Sequence, residues 1–214
     1  MDKLKLFILS ESRKKIIPSF SSWKNEFYLA GGTGLALQIG HRDSVDFDFF
    51  SNNSFDPNTM IKRLSKLFDQ KLFNVTQVEK NTLSILLNSE IKISFMTYDY
   101  PLLNPLISTE YLNIASIPDI ACMKLSTIMQ RSALKDYVDL FEIMKVYPLE
   151  QLILFAKKKY PMIDSTVIIK TISYLEDIID EPLIYSDEKL KPDLKTLKQF
   201  FQKEVKKYFN KIIK

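Results

Sequence analysis

The sequence predicts an α+β fold, with a mixed sheet and flanking helices in residues 1–105 and a helical lobe in residues 106–214. Three segments, near residues 73–79, 82–88 and 90–97, alternate apolar residues with other residues, as half-buried strands do. After Pro118 the apolar residues recur at helical spacing instead. A strand-rich half therefore precedes a helical half, and we find no internal repeat or low-complexity linker between them.

Local signals place the remaining elements. Asp56 followed by Pro57 predicts a helix start, because an aspartate caps the first amides and proline is tolerated at the first helical position. Asn88-Ser89-Glu90 is typical of a hairpin turn between the last two strands. We expect further helices over residues 3–17, 35–39, 57–71, 133–146, 149–159, 165–179 and 193–212, and strands over residues 26–30 and 45–50.

Composition excludes several classes of protein. The 214 residues are 46% apolar and 12% aromatic, enough to bury a core. A single cysteine, Cys122, excludes a disulfide framework, and a single histidine, His41, excludes His-rich or Cys/His metal sites. Carboxylates must then hold any metal, which favours magnesium or manganese over zinc. No apolar run is long enough for a membrane span, so we expect a cytoplasmic protein.

Charge is unevenly distributed along the chain. Residues 189–214 hold nine lysines against Asp193 and Glu204, a local charge of +7, whereas the rest of the chain has a charge of −3. Such a basic tail indicates either a surface for a polyanion such as RNA or a solvated Lys-rich helix face.

The most informative segment is Gly31 to Phe50, which reads GGTGLALQIGHRDSVDFDFF. Asp46 and Asp48 are two positions apart within an expected strand, so their carboxylates share a face and can bind one hard cation. Gly31, Gly32 and Thr33 come just before a short helix, where free backbone N–H groups and a hydroxyl are available to a phosphate. This arrangement is typical of a metal-dependent nucleotidyltransferase.

The same segment closely resembles the AbiEii/AbiGii toxin family, nucleotidyltransferases of the polymerase-beta superfamily. The resemblance covers about residues 25–145. Downstream it rests on the motifs Met123-Lys124-Leu125, Arg131 and Lys135-Asp136-Tyr137-Val138-Asp139-Leu140. It implies the toxin of a toxin–antitoxin or abortive-infection module, which binds a nucleoside triphosphate and has a cognate antitoxin. Some members of that family transfer nucleotides to the 3′ end of tRNA.

The resemblance also implies residue roles. Gly32 and Thr33 match the phosphate-binding turn, and Asp46 and Asp48 match the metal-binding pair. Lys124 matches a lysine that contacts the triphosphate. The implied reaction is inline attack by a hydroxyl on the α-phosphate, assisted by two cations, with pyrophosphate leaving.

A third carboxylate, which many superfamily members bring from a later strand, has no obvious counterpart. Ser94 stands where an acid is expected. Glu90, Asp99 and Asp136 are the alternatives that the chain offers for this role.

Several basic and acidic residues of these motifs have two readings. Lys124, Arg131 and Lys135 would form one stripe lining an anionic cleft if a single helix ran through them, and otherwise belong to a solvated helix edge. Asp136 either orients Lys124 or contacts the metal. Asp139 is equally a structural partner for Lys135 or Arg131. Arg42 either clamps a phosphate or forms a structural pair with Asp48, the reading we favour slightly.

Three functions fit these features. The first is an active nucleotidyltransferase toxin. The second is a nucleotide-binding module without transfer activity, suggested by Ser94. The third is a small-molecule nucleotidyltransferase of the antibiotic-modifying type, against which the basic tail weighs, because a small acceptor needs no long polyanion surface. Incorporation of labelled nucleotide separates the first function from the second.

Overall fold

The computed structural model describes residues 4–176, 178, 182–185 and 191–212. They fall into two compact units. The first contains residues up to 101 and residues 105–116, and the second contains residues 102–104 and those from 117 onward. The domain division at residue 105 stays a prediction, because compactness alone does not show independent folding.

The first unit is built on a seven-stranded mixed sheet, which confirms the α+β prediction. The strand order is β3-β4-β5-β2-β1-β7-β6, with parallel pairs β2–β5 and β1–β7 and antiparallel pairs elsewhere. The strands are β1 (Tyr28–Leu29), β2 (Phe47–Ser51), β3 (Phe73–Glu79), β4 (Thr82–Leu87), β5 (Ile91–Thr97), β6 (Ile107–Ser108) and β7 (Asn113–Ile114). The helices of this unit are α1 (Glu11–Ile16), α2 (Gly31–Ile39) and α3 (Pro57–Leu67).

The second unit is helical, as the sequence predicts. Its helices pack around buried apolar side chains, and the Tyr137 and Phe201 rings meet edge to face with centroids 5.9 Å apart. The helices are α4 (Ile117–Ile128), α5 (Leu134–Met144), α6 (Leu149–Lys159), α7 (Ser165–Ser173) and α8 (Leu194–Ile212). The predicted helix 165–179 is shorter in the structure and ends at Ser173, and its residues 177 and 179 lie outside the described residues.

The local signals around β3 to β5 are confirmed. Asp56 caps α3 by accepting hydrogen bonds from the amides of Asn58 and Thr59. Asn88 and Ser89 both have a φ of 55°, the left-handed conformation required at the two central positions of a tight hairpin turn. The start of α3 and the turn between β4 and β5 are therefore both set by local residues.

One predicted helix is wrong. Of the predicted helix 3–17, residue 3 lies outside the described residues, and residues 4–17 do not form a continuous helix, because Ser10 has an extended backbone and its side chain caps a new helix, α1. A 3₁₀ turn, Leu6–Ile8, precedes Ser10, and a second 3₁₀ segment, Ile17–Ser22, follows with proline in its first turn. A further difference is that α2 starts at Gly31, four residues before the predicted start, with Gly34 N–H donating to the Ala30 carbonyl oxygen.

The core of the first unit lies on one face of the central strands. Phe47, Phe49 and Phe95 are buried there, and the Phe20 and Trp23 rings pack against them. The alternation along β2 turns Asp48 to the opposite face. The core thus holds the strand that presents this carboxylate.

Candidate active site

The N-terminus of α2 has no side-chain cap at the residue before it. Gly31 has a φ of +63°, and Ala30 before it provides no side-chain cap. The first N–H groups of a helix have no acceptor within the helix, and the helix dipole places partial positive charge there. The backbone therefore offers N–H donors at the point where the sequence predicts phosphate binding.

The Asp48 carboxylate lies directly against this turn. A Cβ atom added at Gly31 would lie 3.0 Å from Asp48 Oδ2, so the glycine permits a close approach that a side chain would block. The Ala30 N–H also donates to the Asp48 carbonyl oxygen at 3.0 Å. The structure thus brings together the candidate phosphate site and one candidate metal ligand.

Gly32 is crowded by the loop that leads into β2. A Cβ atom there would lie 2.7 Å from Arg42 Nη2 and 3.1 Å from Ser44 Oγ. Arg42 is buried, and its Nη1 donates to the Asp43 carbonyl oxygen at 2.8 Å. A guanidinium group therefore lies beside the start of α2, where it adds positive charge.

The Thr33 side chain contacts the loop that leads into β2. Its hydroxyl lies 2.8 Å from Ser44 Oγ and hydrogen bonds to the Asp46 carbonyl oxygen. The side chain is buried. The sequence analysis did not single out Ser44. Its position between Arg42 and Asp46 is the one signal that could have identified it.

Asp46 and Asp48 have different local settings. Asp46 precedes β2, which begins at Phe47, whereas Asp48 lies within the strand. Both are partly exposed. Within the described residues, no group of three histidine, cysteine, aspartate or glutamate side chains is placed to hold a metal ion. The candidate site therefore offers two carboxylates.

Ser94 occupies the position next to Asp48 on the neighbouring strand. Asp48 pairs with Ser94 in the parallel β2–β5 register, and Ser84 on β4 pairs with Ser94 in turn. The two buried serine hydroxyls are 3.2 Å apart. Glu90, one of the alternative acids, lies 3.7 Å from the Arg13 guanidinium at the other end of β5.

His41 and Asp43 flank Arg42 in the same loop. His41 is buried, and Asp43 is partly buried. Burial raises the pKa of the Asp43 carboxyl above its ordinary value, against the opposing effect of the Arg13 and Arg42 charges.

A second cluster lies within the helical unit. Lys124 Nζ on α4 contacts Asp136 Oδ1 at 2.7 Å and Asp139 Oδ2 at 2.5 Å, both on α5. Arg131 Nε contacts Asp136 Oδ2 at 3.0 Å. Lys124 and both aspartates are buried, whereas the Arg131 side chain is exposed. Asp136 thus lies against Lys124, a contact that the orienting role requires.

The prediction that Lys124, Arg131 and Lys135 form a stripe along one helix is wrong. α4 ends at Ile128 and α5 begins at Leu134, so the three residues do not share one helix. The Gln130 and Arg131 amides both donate to the Thr127 carbonyl oxygen, which closes α4, and Ala133 has an extended backbone. Lys135 is partly buried in the first turn of α5.

A further ion pair was not foreseen. Lys159 Nζ lies 2.8 Å from Asp119 Oδ1, and both side chains are fully buried. Asp119 also accepts hydrogen bonds from the Leu103 and Asn104 amides at 2.9 and 3.3 Å. The pair joins α4, α6 and residues 102–104 within the second unit. No sequence signal separates Lys159 from the exposed Lys157 and Lys158 beside it.

Comparison with known proteins identifies the family. The model of a family described as nucleotidyl transferase AbiEii toxin, type IV toxin–antitoxin system, matches residues 18–211. The chain belongs to the AbiEii family. The resemblance inferred from the sequence is therefore confirmed, and with it the function of nucleotidyltransferase in a toxin–antitoxin system.

Relatives and solved structures agree with this assignment to the AbiEii family. Uncharacterized protein aq_aa25 of Aquifex aeolicus (strain VF5) is 40% identical over 190 residues, 86% of this chain and 88% of the relative. A crystal structure from H. pylori, assigned as a nucleotidyltransferase, matches with a TM-score of 0.59 at 20% identity, covering 93% of this chain and 97% of the other. The antibiotic-resistance factor ANT(2'')-Ia matches with a TM-score of 0.51 at 10% identity, covering 68% and 88%. These structural likenesses show the fold.

None of the helices that the structure describes is long and apolar enough to cross a membrane.

Proposed function

We propose that this AbiEii-family protein transfers a nucleoside monophosphate from a nucleoside triphosphate to a hydroxyl of RNA, with the 3′ end of tRNA as the first acceptor to test. The hydroxyl oxygen forms a bond to the α-phosphorus, the bond from that phosphorus to the bridging oxygen breaks, and pyrophosphate and a proton are released. The observation that carries this proposal is the Asp48 carboxylate beside the open N-terminus of α2.

Different residues of the chain bind the triphosphate and position the two carboxylates. The amides at the start of α2 orient phosphate oxygens, and the buried Arg42 guanidinium beside Gly32 adds positive charge. Thr33 fixes the loop that carries Asp46, and the β1–β2 pair fixes Asp48. The turn and both carboxylates are thus held by short-range contacts before any substrate binds.

Asp46 and Asp48 fit a magnesium or manganese ion, because hard divalent cations prefer carboxylate oxygens. When bound, such a cation neutralises phosphate charge and lowers the pKa of the attacking hydroxyl. We keep Lys124 as a candidate contact for the triphosphate and Asp136 as the residue that positions it. Arg131 and Lys135 remain candidates for nucleotide binding. The toxin acts with a cognate antitoxin in the cytoplasm.

The test measures nucleotide transfer by the purified protein. Each of the four α-labelled nucleoside triphosphates is incubated with total tRNA and magnesium, and labelled RNA is counted. We expect the wild type to label RNA and both Asp46→Asn and Asp48→Asn to be inactive, because the amide keeps the volume but removes the charge. Asp69→Asn is the matched control, since Asp69 is exposed and an asparagine preserves its cap on the Lys71 amide.

Two outcomes would contradict the proposal. Equal labelling by the wild type and the two Asn variants would remove Asp46 and Asp48 from the site. Nucleotide binding by the wild type without labelling of any RNA would favour a nucleotide-binding module without transfer activity.

A further inference from the structure

α8 turns one side to the helical unit and the other to solvent. Leu197, Phe201 and Glu204 are buried. At 3.6 residues per turn, the opposite side of the helix holds a set of six residues, all of which are exposed. We call this set the α8 cationic face, and its members are Lys195, Gln199, Gln202, Lys203, Lys206 and Asn210.

The α8 cationic face carries three positive charges and has no acid among its own residues. It contains three lysines and three amide side chains, and no aspartate or glutamate. In the part of the chain that the structure describes, Lys195, Lys203 and Lys206 form no ion pair. Lys195 and Lys206 are 11 residues apart, about 16 Å along the helix at about 1.5 Å per residue. The face can thus contact several phosphates along one backbone.

The other lysines of α8 differ from these three in their partners. Lys198 contacts Glu176 at 3.1 Å, Lys207 contacts Glu204 at 2.5 Å and Lys211 contacts Glu150 at 2.6 Å. All three lie to the sides of the cationic face or behind it. The helix therefore separates three lysines that form ion pairs from three that form none within the described residues. Of the latter three, Lys195 lies near Asp193, whose pKa is lowered by hydrogen bonds from Thr196 and, less strongly, by the Lys195 charge.

The chemistry of the face fits a nucleic acid backbone. Lysines attract phosphates by charge, and glutamine and asparagine amides donate hydrogen bonds to phosphate and sugar oxygens. A helix that docks on a membrane needs an apolar stripe on its exposed side, and among the side chains that the structure describes only Phe209, 44% exposed, flanks the face. An aromatic ring in that position also offers a surface on which a base can stack.

We propose that the α8 cationic face is the docking surface for the backbone of the acceptor RNA. This inference rests on the proposed function, which gives the protein an RNA acceptor. It assigns affinity for RNA to α8 and uses none of the candidate nucleotide-binding residues named above. The face binds without sequence preference, since none of these contacts requires a base edge.

The test compares two triple variants with the same change in net charge. The first replaces the unpaired lysines by Lys195→Gln, Lys203→Gln and Lys206→Gln. The second, the matched control, replaces the paired lysines by Lys198→Gln, Lys207→Gln and Lys211→Gln. Binding of fluorescently labelled tRNA is measured by anisotropy between 50 and 200 mM salt, and thermal unfolding checks that each variant is folded.

The salt dependence decides the result. Each lost phosphate contact reduces the slope of log affinity against log salt by about 0.7–0.9, so the first variant should lose about 2.1–2.7 in slope. Over the fourfold salt range, its affinity should therefore fall about 20–40-fold less than that of the wild type. We expect a change of less than about one in slope for the paired-lysine variant. Should that control fail to fold, Lys62→Gln, Lys66→Gln and Lys80→Gln replace it, since these lysines are exposed in the first unit.

Several results would overturn the inference. Equal slope changes in both triple variants would show that only net charge matters, and an unchanged slope in the first variant would show that α8 is a solvated face. Binding to anionic lipid vesicles that depends on the three unpaired lysines, with no such dependence for tRNA, would assign the face to a membrane.

The inference and the proposed function fail separately. If the wild type labels RNA and the first variant binds tRNA normally, the docking surface is wrong and the transfer reaction stands. If the wild type never labels RNA but the first variant loses tRNA binding, the docking surface stands and the acceptor hydroxyl must be sought elsewhere.

Discussion

Replacing Lys124 by methionine should reveal whether the buried cluster of the helical unit is a stabilising element. The ammonium contacts two fully buried carboxylates at 2.7 and 2.5 Å, and methionine keeps much of the side-chain volume without the charge. Removing one partner of a buried ion pair leaves an uncompensated charge and costs about 3–5 kcal/mol. For a protein of this length, that loss corresponds to a melting temperature lower by about 6–20 °C.

The cluster also predicts which second change relieves the first. Arg131 contacts Asp136 at 3.0 Å and is kept in the Lys124→Met variant, so we expect Asp139 to be the carboxylate that loses most. Asp139→Asn should therefore cost much less in the Lys124→Met background than in the wild type. Urea unfolding followed by circular dichroism measures all four proteins of this cycle. A loss below about 1 kcal/mol for Lys124→Met, or additive effects of the two changes, would refute the reasoning.

The same cycle tests the contact of Lys124 with substrate. Loss of stability would complicate any binding measurement on a Lys124 variant alone. The Lys124→Met, Asp139→Asn double variant is expected to be folded, and calorimetry then compares its affinities for a nucleoside triphosphate and the corresponding monophosphate. A lysine that faces the β- and γ-phosphates predicts a larger loss for the triphosphate. Equal losses would mean that Lys124 acts only within the protein.

Three further outcomes follow from the structure. Gly32→Ala should weaken nucleoside triphosphate binding about tenfold or more, measured by calorimetry, because the new Cβ displaces the Arg42 guanidinium. A hydrogen bond from this charged group to a phosphate oxygen is worth about 1.5–3 kcal/mol. Unchanged affinity would remove Arg42 from the site. Lys159→Met should cost about 3–5 kcal/mol in urea unfolding, since Asp119 is left buried with its charge, and Lys157→Met, at an exposed position, should cost less than about 1 kcal/mol. Burial raises the pKa of the Cys122 thiol to about 12, so the reactive thiolate forms only as the pH approaches that value. Iodoacetamide at pH 8 should therefore label Cys122 in the unfolded chain and not in the native protein. Rapid labelling of the native protein would contradict the burial of Cys122.

Elements defined by local chemistry were predicted from the sequence. The alternation of Leu83, Ile85 and Leu87 marks β4, because one face of a strand packs against a core and the other does not. The Asp56-Pro57 pair marks the start of α3 for an equally local reason. The segment before Ser10 was misjudged, because its apolar residues keep helical spacing while the serine begins a new helix.

Contacts between distant residues could not be predicted in this way. Asp119 and Lys159 are 40 positions apart, and Lys159 is the last of three consecutive lysines, of which composition cannot tell which is buried. The helix break between Lys124 and Arg131 was equally hidden, because the segment contains neither proline nor glycine. By contrast, sequence alone singled out Asp46, Asp48 and the glycines before them. Two closely spaced carboxylates beside a glycine turn have few structural uses in an otherwise apolar segment.

The candidate active site depends on contacts between near neighbours in sequence. Ala30 donates to the Asp48 carbonyl oxygen, Leu29 pairs with Phe49, and Thr33 bonds to the Asp46 carbonyl oxygen, all within residues 28–50. A site closed by such short loops needs little ordering when a nucleotide arrives, because the short hairpin already fixes the turn against the carboxylates. The unpaired lysines of α8 belong to a different unit and share no residue with this hairpin. If α8 is the docking surface proposed above, replacing these lysines should alter the affinity for an acceptor and leave the contacts of this hairpin unchanged.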